Sequence, residues 1–281
     1  MLSAEGGKLN CSLYTATALR PSKTSSLHPH ISSFFTMDES RIALIGYGSM
    51  GKELERLAPQ YGCRVEQIFT SATPLASAPE SAWNFDVAID FSKPHAVRKN
   101  VAECAAHGKN IVIGTTGWTA DISLLRELVA GAGIGAVWGA NFSVGVLMFM
   151  RIVEEAACLV ARYDEYDVAL HELHHHRKLD SPSGTGLALS EILMQHIPKK
   201  TELLKETSHG RIAEGALHLS STRVGEIPGT HTVYIDSLAD TLELTHRARN
   251  RSGFALGALR AARWLRGKQG FFEVREIVQE L

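Results

Sequence analysis

Cysteine is scarce in this sequence: four residues, at positions 11, 63, 104 and 158, with no C-x-x-C pair among them. That spacing fits reduced thiols in a cytosolic protein better than a disulfide framework. Long apolar runs are missing too, since no stretch approaches the ~20 residues a membrane-spanning helix needs. Nor does charge of one sign accumulate. Lys and Arg number 29 against 30 Asp and Glu, a formal charge of −1, which argues against a general affinity for nucleic acid or for an anionic membrane surface. What remains is an ordinary globular composition, 44% hydrophobic over 281 residues, enough for two domains or one large one with a substantial core.

Residues 1–37 stand apart. They are rich in Ser and Thr and set Lys8, Arg20 and Lys23 against the single acid Glu5. The composition is compatible with an organelle-targeting segment. The favoured expectation is an unstructured extension, because Met37 directly precedes the first segment with a folding pattern, and the expected location is then cytoplasmic.

From residue 38 the pattern is regular. Arg41-Ile-Ala-Leu-Ile-Gly46 is a short apolar run closed by glycine, and Met50 to Tyr61 carries Leu54, Leu57 and Ala58 at helical spacing, which predicts strand, tight turn and helix. Strand patterns at 64–70, 86–91, 110–114 and 136–139 alternate with helical ones at 95–107 and 120–130. Such alternation implies an α/β fold whose parallel sheet is covered on both faces, a doubly wound, Rossmann-like arrangement. After Asn141 the grammar changes. A long apolar helix over about 146–161, a His-rich strand, a helix over 184–195 and strands near 216–221, 230–234 and 241–245 predict a smaller α+β domain with a mixed or antiparallel sheet, and an Ala/Leu-rich helix spans 254–265. The expected division is 38–140 for dinucleotide binding, completed by 247–281, and 141–246 for the second domain.

Gly46-Tyr47-Gly48-Ser49-Met50-Gly51 is G-x-G-x-x-G between a predicted strand and a predicted helix. Gly46 permits the turn, Gly48 lets a pyrophosphate approach the backbone, and Gly51 lets helix and strand pack, with the helix N-terminus favouring negative charge. An Asp or Glu some twenty residues on would hold the ribose hydroxyls of NAD, but the sequence there reads Phe69-Thr70-Ser71. No arginine stands nearby to bind a 2′-phosphate either, so the expected cofactor is NADH or NADPH. Gly114-Thr115-Thr116 and Gly139-Ala140-Asn141-Phe142 also follow predicted strands, at the sheet edge where such folds bind ligands.

His171, Glu172 and His175 spell the zinc-protease signature H-E-x-x-H. That signature works only on a helix, where residues four apart share a face. Here the chain alternates like a strand and meets Asp180-Ser181-Pro182, so the two histidines would lie ~13 Å apart. No metal site is expected. Instead His174, His175 and Lys178 stand just ahead of Ser183-Gly184-Thr185, which opens a helix, so that cations and free backbone N–H groups converge on a volume suited to an anion. A lysine beside histidines can also give a proton to a reduced intermediate.

Glu172-Leu-His174-His175-His-Arg-Lys178-Leu-Asp180-Ser-Pro182-Ser183-Gly184-Thr185 resembles the signature E-x-H-H-x-x-K-x-D-x-P-S-G-T of the dihydrodipicolinate reductase family, and the resemblance runs over about residues 41–281. It implies reduction of 4-hydroxy-tetrahydrodipicolinate with loss of water, in diaminopimelate and lysine biosynthesis. By the same resemblance His174 is the acid/base and Lys178 the proton donor, while His175, Ser183, Gly184 and Thr185 hold the dicarboxylate substrate. The three glycine-containing turns line the cofactor, and four chains assemble through the second domain's sheet. Ser181 stands where the family usually has alanine, and Ser49 where many members carry arginine. A zinc hydrolase built on H-E-x-x-H and a nucleotide-sensing module without catalysis are the rival readings.

Overall fold

The computed structural model describes residues 39–281; the expectations for residues 1–37 fall outside that range. The opening strand β1 (Ser40–Ile45) is buried along nearly its whole length, as an unbroken apolar run must be in a sheet covered on both faces. Helix α1 (Ser49–Leu57) follows and turns Leu54 and Leu57 inward. The helix expected to reach Tyr61 stops at Leu57 and tightens to a 3₁₀ turn over Ala58–Tyr61. Pro59 explains the difference, because it has no N–H for an α-helical bond and its ring would strike the carbonyl four residues back.

The alternation continues through β2 (Cys63–Phe69), β3 (Val87–Asp90), α2 (Pro94–Ala106), β4 (Asn110–Ile113), α3 (Ile122–Ala132) and β5 (Gly135–Trp138). Beyond it come α4 (Val144–Val160), β6 (Asp167–His174), α5 (Gly184–His196), β7 (Glu202–Leu204), β8 (Ala216–Arg223), β9 (Thr230–Asp236) and β10 (Thr241–Arg247). Helix α6 (Ser252–Leu265) and β11 (Gly270–Glu273) close the chain.

The first sheet runs β2-β1-β3-β4-β5-β11 with every pair parallel. From β1 the chain steps outward to β2 and then crosses back to β3, so the connections leaving the ends of β1 and β3 diverge and open a crevice at their carboxyl edge. Leu54 and Leu57 of α1 join Ala258, Leu259 and Ala262 of α6 in the core on one face. Val97 and Val101 of α2 join Leu125 and Val129 of α3 on the other.

The second sheet, β10-β9-β6-β8-β7, is mixed: β6 runs parallel to β8 and antiparallel to β9. Its inner face packs Leu170, Leu219 and Val233 against Val153 and Ala157 of α4 and Leu189 and Leu193 of α5. Sequence patterning missed β7 and β11. β7 has only three residues, too few for a periodicity to show, and β11 is a strand because it pairs with β5, a contact that no local signal announces.

Candidate active site

At the end of β1 the backbone of Gly46 turns through φ +91°, and a Cβ there would lie 2.4 Å from the Phe91 carbonyl oxygen. A Cβ on Gly51 would likewise come 2.4 Å from the oxygen of Gly46, so both glycines are demanded by the tight passage from strand to helix. Gly48, by contrast, has no atom within 4 Å of a Cβ position, so the space beside the turn is open there. Gly48, Ser49 and Met50 form one wall of a cleft of about 330 Å³, with Phe91, Ser92 and Pro94 after β3 and Gly114, Thr115 and Thr116 after β4 forming the rest. Asp90 is buried and ties these walls together, accepting from Ser92 N at 2.8 Å, Asn100 Nδ2 at 2.9 Å and Thr115 Oγ1 at 3.0 Å. At the tip of β2 the Thr70 hydroxyl accepts from the amides of Ala72 and Thr73, which makes a neutral, hydroxyl-rich turn. The donor set and the bare backbone of the glycine turn fit the pyrophosphate of a dinucleotide.

Besides Gly46 and Gly51, which shape the turn without lining the cleft, three more expected cofactor residues lie elsewhere. Tyr47 turns aside and donates its hydroxyl to Glu55. Gly139 packs against Val274, whose Cγ1 would lie 2.4 Å from a Cβ there. Phe142 is 1% exposed and sits edge-on to Phe91 inside the core. Of that segment only Ala140 and Asn141 face a cleft, the larger one, of about 940 Å³.

That larger cleft brings together His174, His175, Lys178, Ser183, Gly184 and Thr185, and Thr116 lines both clefts. Strand alternation places the histidines. Val168, Leu170, Glu172 and His174 point to the buried side of β6, while His171 points to the other face, its Nδ1 2.7 Å from Ser220 Oγ. Because His171 lies within a strand and His175 just past its end, the two histidines lack the helical turn that would bring them to one ion, so H-E-x-x-H fails on geometry.

Glu172, 0% exposed, accepts the Ser183 amide at 3.0 and 3.1 Å, the Ser183 hydroxyl, and Arg223 Nη2 at 3.0 Å. Burial works to raise its carboxyl, but His231, Ser183 and Arg223 outweigh it and hold the group well below the usual carboxylate range. Donor atoms of Glu172, His174 and His231 lie within 4.8 Å of one another. Ser183 and Arg223 already fill the carboxylate oxygens, however, and a dication would sit against a guanidinium, so the donor set suits a hydrogen-bond network and not an ion.

Ser183 caps α5, its hydroxyl accepting Gly186 N at 3.0 Å. With its amide also given to Glu172 it has no polar group left for a ligand, and it supports the site where direct contact was expected. Lys178 Nζ lies 2.7 and 2.9 Å from the Asp180 carboxylate oxygens. Burial favours a raised Asp180 carboxyl, yet Lys178 and the amide of Gly184 prevail and lower it. Lysine and helix terminus thus already grip a carboxylate. Asn141 Nδ2 reaches Thr185 Oγ1 at 3.3 Å and links the two halves of the cleft.

His174 Nδ1 is buried without a partner and lies 3.8 Å from Glu172 Oε1. Burial pushes its ring down to about 4, reinforced by His231, Lys178 and Arg223 and opposed by Glu172. The unfolded chain takes up this proton near pH 6.5 and the folded chain only near pH 4, so between these values protons favour unfolding and stability falls with pH. Wild type is expected to lose about 2 kcal/mol more than His174→Gln between pH 7 and pH 5. Urea unfolding at both pH values checks this, and equal losses would refute a buried neutral His174.

Two family descriptions match the chain: "Dihydrodipicolinate reductase, N-terminus" over residues 40–142 and "Dihydrodipicolinate reductase, C-terminus" over residues 145–278. The 4-hydroxy-tetrahydrodipicolinate reductase of Christiangramia forsetii is 35% identical over 240 residues, covering 85% of this chain and 98% of the relative. The chain belongs to the dihydrodipicolinate reductase family. Among solved structures, the dipicolinate-bound dihydrodipicolinate reductase of Paenisporosarcina sp. TG-14 superposes with a TM-score of 0.69 at 22% identity, over 85% of this chain and 99% of that one. The amine dehydrogenase of Mycobacterium smegmatis follows at 0.57 and 13% identity, over 85% and 96%. Both show a shared fold.

Within this reductase fold, sequence reasoning missed Arg223 and His231 as site residues, because they arrive from β8 and β9 through sheet pairing. For Glu172 a signal existed. It shares strand parity with Val168 and Leu170, so it had to point inward, and a buried carboxylate needs partners.

Proposed function

We propose that this family member reduces 4-hydroxy-tetrahydrodipicolinate to tetrahydrodipicolinate with loss of water, using NADH or NADPH, in diaminopimelate and lysine biosynthesis. The observation that carries the proposal is Thr116, which lines both clefts and so sets the nucleotide crevice beside a pocket whose lysine and helix N-terminus already hold a carboxylate. The nicotinamide supplies the hydride when bound. The chain's own groups do the rest.

Gly184, Thr185 and His175 are placed to hold the dicarboxylate with charge-assisted hydrogen bonds. Lys178 gives up Asp180 for the substrate and delivers a proton where negative charge gathers on the ring. His174 is neutral in the free enzyme. A dianion in the cleft raises its proton affinity, which makes it an acid only when substrate is present. The nucleotide lobe is taken as 38–140 with 247–281 and the substrate lobe as 141–246. The hydroxyl turn at Thr70 neither repels a 2′-phosphate nor binds it with an arginine, and this supports use of both cofactors.

Four chains are proposed to assemble through the second sheet, in a cytoplasmic enzyme. The face opposite α4 and α5 carries Ala169, His171 and Leu173 beside His218 and Ser220, a half-buried mix of apolar and small polar groups suited to contact with an equivalent sheet. No described helix is long and apolar enough to cross a membrane. A coupled assay, in which the upstream synthase makes substrate from pyruvate and aspartate semialdehyde, should show oxidation of both NADH and NADPH. No oxidation of either would overturn the proposed reaction, and light scattering that reports a monomer would overturn the assembly.

A further inference from the structure

We propose that Glu172 is a positioning residue for this reaction: its buried carboxylate fixes the substrate-binding N-terminus of α5 and acts as the counter-charge for a protonated His174. The inference rests on the reductase reading. It starts from how many separate segments one side chain holds. Through the Ser183 amide and hydroxyl, Glu172 fixes the cap of α5 and so aims the amides of the Ser183-Gly184-Thr185 turn. Arg223 Nη2, 3.0 Å from Glu172 Oε1, also donates to the Asp180 carbonyl at 2.7 Å, so the loop bearing Lys178 and Asp180 hangs on the same charge. His231 Nε2 stands 3.5 Å from Glu172 Oε2, and its ring packs edge-on to His174 at 5.2 Å.

Helix α5 makes room for this carboxylate. A Cβ on Gly186 would come 2.7 Å from Glu172 Oε2, so the glycine one position after Thr185 is needed for the acid to reach the cap. Two consequences follow from the charge. A glutamine has one acceptor oxygen where the carboxylate has two, so it cannot serve both groups of Ser183 and Arg223 together. And the 3.8 Å gap to His174 Nδ1 is too long for a hydrogen bond yet short enough for Coulomb attraction inside a protein.

The charged and titratable groups facing His174 are Glu172 on its own strand, Arg223 from β8, His231 from β9 and Lys178 from the following loop. Of these only Glu172 favours the protonated ring. Removing Glu172 and removing Arg223 should therefore move the His174 titration in opposite directions, an outcome that mere loosening of the fold does not give.

The test compares Glu172→Gln, Arg223→Met and wild type in the coupled assay across pH, with dipicolinate titrated into each protein and nucleotide affinity as control. Both variants are expected to raise KM for the dicarboxylate and weaken dipicolinate binding by roughly tenfold or more, with nucleotide Kd within about twofold. The limb of the kcat/KM profile assigned to His174 should shift to lower pH in Glu172→Gln and to higher pH in Arg223→Met. Unchanged KM, or shifts of the same sign, would overturn the inference. If Glu172→Gln does not fold, Arg223→Met carries the test alone, and an unmoved or downward limb there is overturning. If wild type itself shows no turnover, the reaction reading fails, and equal dipicolinate affinity in wild type and variants would then overturn this inference separately.

Discussion

Lys178→Ala is expected to lower turnover by on the order of 10²-fold or more while nucleotide affinity stays within about twofold of wild type. The separation follows from where the groups sit. Lys178 lines the larger cleft, whereas the turn at Gly48 to Met50 and the Gly114 to Thr116 loop wall the smaller one. Loss of the ammonium removes the proposed proton source and the charge proposed to meet the developing anion, which general acid catalysis places at ~10²–10⁴. It also strips Asp180 of its partner at 2.7 and 2.9 Å and leaves an uncompensated carboxylate where a dianion must bind. KM should therefore rise as well. Lys178→Ala combined with Asp180→Asn is expected to recover part of the KM and none of the turnover, because the amide removes the repulsion and supplies no proton. Steady-state kinetics of the two variants decide it. Turnover of Lys178→Ala within about threefold of wild type would take Lys178 out of the mechanism.

The parts of this site that could be read in advance are those written in local periods. The glycine turn after β1, the strand alternation of β6 and the cap that opens α5 each follow from a handful of consecutive residues, and the structure has each of them as elements. What the sequence hides is long-range. Arg223 meets Glu172 across 51 positions of chain, and nothing near residue 223 announces a buried partner. Gly139 and Phe142 look like ligand-edge residues until Val274 and α6, from the far end of the chain, are packed against them. Ser183 is ambiguous for a subtler reason. A hydroxyl at a helix start reads equally well as a cap or as a ligand, and only the position of Glu172 settles that it faces inward.

Gly257→Ala should be among the most damaging single-methyl additions in the described chain. Gly257 lies where α6 crosses the segment after β5, and a Cβ there would stand 1.6 Å from the Phe142 carbonyl oxygen and 2.8 Å from its carbon. No rotamer relieves the overlap, since Cβ is fixed by the backbone, so helix or segment must move by more than an ångström. Neither is free to do so. Ala255, Ala258, Leu259, Ala261, Ala262 and Leu265 of α6 are all 0% exposed, and the crossing segment carries Asn141, which reaches Thr185. Overpacking of this kind outweighs the ~1 kcal/mol that alanine gains over glycine in a helix. The expected net loss is more than about 3 kcal/mol, a midpoint lowered by roughly 6 °C or more. Gly131→Ala in α3, where no atom lies within 4 Å of the new Cβ, serves as the control and should stabilise by up to ~1 kcal/mol. Because Asn141 is carried with the displaced segment, the folded fraction of Gly257→Ala should also bind dipicolinate more weakly. Thermal melts and a dipicolinate titration of both variants test the argument, and a Gly257→Ala midpoint within a degree or two of wild type would show that α6 and the Phe142 segment separate without loss.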